Sequence, residues 1–154
     1  MARRIYLDFH AFAGCVDETY GAWSNRLMDE IRFGWWTAVV SDLTELELQV
    51  APASVRQVLK HLPSRGIERV RLTAEAERLA NRYVAEDVVS MLHLAEARHV
   101  AIATVARVDV LVSWNFQQIV NLDRIRAFNA VNLRDGYAML EIRSPVEVFH
   151  EEDH

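Results

Sequence analysis

Residues 96–121, EARHVAIATVARVDVLVSWNFQQIVN, decide how this chain folds. The first half carries Ala97, Val100, Ala101 and Thr104 at a spacing that places them on one face of a helix. The period then changes. Residues 108–112 are nearly all apolar, the pattern of a short strand buried on both faces of a parallel sheet. That strand stops at Ser113-Trp114-Asn115, and Phe116 opens another helical turn. A polar amide, Asn115, therefore stands just beyond the carboxyl end of a buried strand, where open α/β sheets place their ligands. A carboxylate, Glu96, stands at the head of the preceding helix.

Outward from this stretch, strand and helix patterns alternate. Ile5-Tyr6-Leu7 reads as a first strand ending at Asp8. A lone aspartate after a strand is most often a turn or helix cap, and the same place is a standard ligand position in α/β sheets. The residue alone favours the cap; the company of other acids favours the ligand. Gly14 and Gly21 punctuate a loop, and 22–33 is an amphipathic helix closed by Gly34. Residues 36–40 form a second strand. Ser41-Asp42 caps a helix with Leu43, Leu46 and Val50 on its buried side. Glu45 and Glu47 project from it at different angles, so at most one faces a common centre with Asp8. Pro52 opens a helix over 53–61. A loop from Pro63 to Gly66 leads to a third strand, 69–72, and Thr73 caps a helix over 74–85 with a partial capping box. Beyond Asn121, residues 123–132 read as irregular and polar, and 138–143 as a last strand stopped by Pro145. No repeat or low-complexity linker interrupts the pattern. It describes one domain over 1–150 with a charged tail over 151–154, a three-layer α/β domain with a mainly parallel sheet of about five strands.

Composition restricts the class. At 154 residues the chain can bury a proper core. No stretch approaches the roughly 20 apolar residues of a membrane helix, and Asp8 and His10 interrupt the first apolar run too early for a signal peptide. The one cysteine, Cys15, excludes an intramolecular disulfide and fits a reducing cytoplasm. It has no basic neighbour to make it a thiolate nucleophile. A formal charge of −5 argues against broad electrostatic binding of nucleic acid. An enzyme acting through an acidic metal site remains open, since the metal offsets that charge.

The acids suggest such chemistry. Phosphodiester hydrolysis needs an activated water and a stabilised negative charge, and two or three carboxylates holding Mg²⁺ or Mn²⁺ supply both. Other constellations point to less. His93, Glu96 and His99 form H-x-x-E-x-x-H, whose directions spread over about 120° around a helix and do not suit one zinc. His99 is read as a helix residue that hydrogen-bonds near the site, not as a ligand. The five glycines are too scattered for a phosphate loop. If Trp36 points inward from its strand, Trp35 points outward, an exposed aromatic suited to a dimer contact or a groove for a partner's helix. Arg124, Arg126 and Arg134 follow the Asn115 loop, as a solvated rim or as phosphate contacts.

The run HVAIATVARVDVLVSWNFQQIVN, followed by RIRAFNAVN, GY and EIRSP, resembles the PIN-domain ribonucleases, and within them the VapC-like toxins of toxin–antitoxin pairs. The likeness continues upstream through IYLDFHAFAG and VVSDLTELELQVAP and so covers almost the whole chain. The resemblance implies a three-layer α/β/α PIN-like fold and Mg²⁺- or Mn²⁺-dependent cleavage of a structured RNA. It also implies a cognate antitoxin and a homodimer. It carries the family's metal-binding acids onto Asp8, Glu47 and Glu96, and its fourth catalytic position onto Asn115. Three places depart from the family's pattern. Glu96 stands where aspartate is usual and moves the carboxylate outward by roughly one C–C bond, in a ligand shell with tolerances of tenths of an ångström. Phe9-His10 replaces small hydroxyl residues, and Gln117-Gln118 replaces a lysine–histidine pair. These departures motivate an alternative, a catalytically degraded PIN-like binding module; a DNA nuclease is a further one.

Overall fold

Five apolar segments line up as parallel strands: β1 (Arg3–Leu7), β2 (Trp36–Ser41), β3 (Ile67–Val70), β4 (Val110–Val112) and β5 (Ile142–Arg143). The computed structural model describes residues 2–152. The sheet order is β3-β2-β1-β4-β5, with every neighbouring pair parallel. The helices are α1 (Phe9–Ala13), α2 (Gly21–Arg32), α3 (Asp42–Gln49), α4 (Ala53–Lys60), α5 (Ala74–Ala85), α6 (Leu94–Val105), α7 (Leu122–Arg134) and α8 (Pro145–Glu152). Alternation along the strands builds a core on each face of the sheet. Ile5, Leu7, Ala38, Val40, Val110 and Val112 pack with Phe12, Leu27, Met28 and Phe149 from α1, α2 and α8. Tyr6, Val39, Leu111 and Ile142 turn the other way, toward residues of α5, α6 and α7. This is the expected three-layer α/β/α arrangement, with an all-parallel sheet. None of the helices among the described residues is long and apolar enough to cross a membrane.

Chain order reverses direction at β1, which pairs with β2 on one side and β4 on the other. Such a switch point opens a crevice outside the carboxyl ends of the two diverging strands. Asp8 follows β1 and Ser113 follows β4, so both stand at that crevice.

Four helices end in the same six-residue closure, in which the residue past the cap turns left-handed. Gly34 (φ 86°) and Gly136 (φ 90°) do so after α2 and α7, and Asp87 (φ 60°) and Arg107 (φ 57°) after α5 and α6. At the end of α6 the Arg107 N–H donates to the Thr104 carbonyl and the Val108 N–H to the Ala103 carbonyl, the Schellman pattern. Val108 therefore belongs to the helix closure, and β4 begins only at Val110, two residues later than the apolar run suggests. No glycine marks this stop, which is why periodicity alone misplaces it.

Other expectations need correction. Residues 122–134, read in large part as irregular, form α7, whose inner face holds Phe128 and Val131 together with buried Asn129 and Asn132. The asparagines disguise the apolar stripe. They are inside because they are bonded: the Asn129 amide accepts from the Leu140 N–H at 2.7 Å and donates to the Leu140 carbonyl at 3.1 Å. That side chain takes the ladder bonds of residue 140, and the last strand shrinks to Ile142–Arg143. The third strand spans Ile67–Val70 rather than 69–72, and Phe116 begins a turn, helix resuming only at Leu122. On α3, Leu46 is 61% and Val50 90% exposed, and the buried residues are Thr44 and Leu48. Pro145 does stop the strand, by opening α8. Of the expected tail, 153–154 lie outside the described residues.

Replacing Arg107 by glycine is expected to raise stability by about 0.5–1 kcal/mol. A left-handed residue other than glycine costs about 1–2 kcal/mol, and glycine's greater unfolded-state freedom returns part of that. Urea unfolding of Arg107→Gly checks this; a lowered midpoint would contradict the closure described.

Candidate active site

Asp8 is 1% exposed at the carboxyl end of β1. Both roles open to it are filled together. Its Oδ1 accepts the Ala11 N–H at 3.0 Å and caps α1, while its Oδ2 accepts the Ser113 hydroxyl at 2.6 Å across the switch point. Ser113 Oγ in turn accepts the Asn115 N–H at 3.0 Å. Asn115 closes its own turn, Oδ1 accepting the Gln118 N–H at 3.0 Å, which leaves the amide NH₂ as its remaining polar group. Between them Trp114 is buried, stacked on Tyr20 at 4.1 Å and donating from Nε1 to Ser24 Oγ at 2.8 Å. A Cβ on Gly14 would fall 2.6 Å from Trp114 Nε1 and 2.5 Å from Ser24 Oγ, so only glycine admits the loop that carries Asn115.

A second hydrogen-bonded group lies beside the first. Glu47 projects from α3, and its Oε1 sits 2.7 Å from Nε2 of His99 on α6. His99 is 3% exposed, and its Nδ1 lies 2.7 Å from the Tyr6 hydroxyl. Tyr6 Oη is 2.8 Å from Ser41 Oγ. Ser41 is within 3.3 Å of Thr44 Oγ1, and Thr44 donates to the Leu7 carbonyl at 3.2 Å. The chain of contacts thus returns to the residue before Asp8. Burial is the main cause of the raised Tyr6 pKa, offset by hydrogen bonds from Ser41 and Thr44 and reinforced by the charges of Asp8 and Glu47. Both carboxylates therefore act on one phenol.

The other sequence candidates divide. Glu45 pairs with Arg69 at 2.7 Å, whereas Glu47 pairs with His99. Glu96 lies in the first turn of α6, one turn ahead of His99, and its nearest ionic partner is His93 Nδ1 at 3.9 Å. Among the described residues, no three of the histidines, carboxylates and cysteine gather closely enough to hold a metal ion. His99 bonds Glu47 and Tyr6, while Glu96 faces His93. Arg124 donates to the Val88 carbonyl and Arg134 pairs with Glu86 at 3.6 Å, which gives both a structural task. Trp36 is buried and Trp35 is 63% exposed, as strand alternation required.

Sequence reasoning missed Ser113, Tyr6, Ser41 and Thr44. No local signal singles out Ser113, whose importance rests on a partner in another strand. For His99 a signal existed: a histidine on the face defined by Ala97, Val100 and Ala101 must find polar partners once buried.

The chain matches no protein-family model and no curated protein. Its backbone does match solved structures. VapC20 of Mycobacterium tuberculosis, a sarcin-ricin loop cleaving toxin, shares 12% identity over 89% of this chain and 98% of that one, with a TM-score of 0.54. VapBC2 of Rickettsia felis, bound to a DNA fragment from its promoter, shares 11% identity over 92% and 98%, with a TM-score of 0.58. FitAcB of Neisseria gonorrhoeae shares 10% over 92% and 97%, with a TM-score of 0.57. At such identities the likeness is one of fold, and the chain has the PIN-like α/β/α fold of its VapC neighbours.

Proposed function

We propose that this chain is a metal-dependent endoribonuclease of PIN type, a VapC-like toxin held in check by a cognate antitoxin and acting as a homodimer. The observation that carries the reading is the buried Asp8 carboxylate at the switch point, bonded by Ser113, which also holds the Asn115 N–H. Burial pushes the Asp8 carboxyl above its ordinary 3.8, against the fields of His99 and His10 and the hydrogen bonds from Ser113 and Ala11. A carboxylate so placed is a strong candidate for a cation partner.

The donor set fits a hard cation. Mg²⁺ prefers oxygen ligands, keeps several waters and needs only one or two carboxylates. Asp8 and Glu47 would meet that requirement, and Glu96 would join them in holding the ion, directly or through water. The bound cation would lower the pKa of an attacking water and stabilise charge on the phosphoryl oxygens. The protein's own work is orientation. Ala11 N–H and Ser113 O–H fix the two oxygens of Asp8, His99 occupies one oxygen of Glu47, and the Asn115 amide orients water or a phosphate oxygen. The departures at Glu96, Phe9-His10 and Gln117-Gln118, with no three-ligand cluster among the described residues, favour as second reading a non-catalytic PIN-like binding module. Parallel assays on RNA and DNA separate the RNase from the DNA nuclease alternative.

Purified protein with Mn²⁺ is expected to cleave RNA, and Asp8→Asn to lower the rate by more than about 100-fold, beyond the usual cost of losing an outer-shell partner. Equal cleavage by both proteins would overturn the nuclease reading. Calorimetry separates it from the binding module, which would show no Mn²⁺ uptake that depends on Asp8.

The same substitution tests the cost of the buried charge. With its folded pKa raised, Asp8 holds its proton more tightly in the folded chain. Its contribution to stability therefore falls as pH rises from 3.8 through the folded value. Asparagine is as good an N-cap as aspartate, so Asp8→Asn removes the charge and keeps the cap. In chelator at neutral pH the variant is expected to unfold at higher urea than wild type, and the gap to close as pH approaches 3.8. A less stable variant at neutral pH would show that Asp8 is not strained by its burial.

A further inference from the structure

We propose that His99 is the positioning residue of this site: it holds Glu47 by one oxygen and so fixes where the other oxygen can stand. The inference rests on the metal-dependent reading above. It starts from a mismatch in burial. His99 has 4% of its side chain exposed and the Glu47 side chain 32%, so a nearly dry imidazole reaches out to hold a half-wet carboxylate. A glutamate at a rim samples many rotamers, and fixing it costs side-chain entropy. A short bond to an immobile partner meets that cost.

The imidazole is immobile because both ring nitrogens are occupied. Nε2 meets Glu47 Oε1 at 2.7 Å and Nδ1 meets the Tyr6 hydroxyl at 2.7 Å. Nε2–H donates to the carboxylate, Nδ1 shares a hydrogen bond with the Tyr6 hydroxyl, and Tyr6 Oη lies 2.8 Å from Ser41 Oγ. The Tyr6 ring also meets the imidazole edge-on, centroids 5.8 Å apart. Two other roles are excluded by the same contacts. His99 cannot ligate a cation without releasing Glu47 or Tyr6. Nor is it a station on a proton path to solvent, because the contacts beyond Tyr6 run through Ser41 and Thr44 and stop at the Leu7 carbonyl.

The network ties together the three elements that carry the acids. Tyr6 lies on β1, two residues before Asp8; Ser41 caps α3, which carries Thr44 and Glu47; His99 lies on α6, three residues after Glu96. Outer-shell partners of this kind orient ligand carboxylates, and their loss commonly costs 10- to 100-fold in metal affinity.

Asparagine at 99 can reach the place of Nδ1 but not of Nε2, and glutamine can reach the place of Nε2. Calorimetry with Mn²⁺ is therefore expected to show His99→Asn about 10- to 100-fold weaker than wild type and His99→Gln recovering most of that loss. The RNA kcat should follow the same order with KM unchanged. His99→Asn with wild-type Mn²⁺ affinity overturns the positioning role and leaves the nuclease reading standing. Wild-type protein that neither takes up Mn²⁺ nor cleaves RNA overturns both. Should His99→Asn fail to fold, Tyr6→Phe carries the test: it keeps the imidazole and frees its far side. Weakened Mn²⁺ binding supports the role, and unchanged binding overturns it.

Discussion

A carboxylate withdrawn from water between two diverging parallel strands is the constraint around which the rest of this molecule is arranged. Asp8 is held by a backbone N–H on one oxygen and a serine hydroxyl on the other. Neither donor carries charge, so the hydrogen bonds moderate the desolvation of the anion without removing it. A fold selected for stability alone would place an apolar or neutral residue there. Keeping the acid makes sense where positive charge joins it, at the end of the sheet where α/β proteins bind ligands.

The surroundings of Asp8 show how a parallel sheet supports such a site. Apolar strands bury both faces of the sheet and leave the strand ends as the place where polar side chains can meet. Among Tyr6, Val39, Leu111 and Ile142, the strand residues that pack on the α5–α6–α7 side, Tyr6 is the one with a polar tip. Its hydroxyl finds His99 and Ser41 rather than remaining unpaired. The same rule operates around Tyr83, whose hydroxyl donates to Asn132, itself bonded to Asn129 at 3.2 Å. One buried network sits under the candidate site and the other ties α5 to α7. Buried polar groups that are fully bonded specify geometry in a way an apolar core cannot.

Where local patterns met local physics, the fold was legible. Thr73 caps its helix by accepting the Ala76 N–H, Gly34 ends α2, and Pro52 precedes α4, each as its residue type dictates. Legibility failed where a partner distant in sequence overrode the local signal. Asn129 and Asn132 look like loop residues until the Leu140 backbone and the Tyr83 hydroxyl are seen to satisfy them. Leu46 and Val50 look like core until Thr44, bonded to Leu7, is seen to fix the rotation of α3. The candidate site divides in the same way. Asp8 and Asn115 were visible as polar residues at strand ends, whereas the surroundings of Glu96 were not.

Local patterns were enough for the alternation of buried strands and helices, and hence for a parallel sheet with Asp8 and Asn115 at its carboxyl edge. Period and apolar content are properties of neighbouring residues, and they need no partner to be read. It took the packed layers to bring Ser113, 105 positions away, onto Asp8, and His99, 52 positions away, onto Glu47. Glu45, two residues earlier, is left to Arg69. Hydrogen bonds act over about 3 Å, and which side chains come within that reach is settled by how whole layers pack, not by any local period.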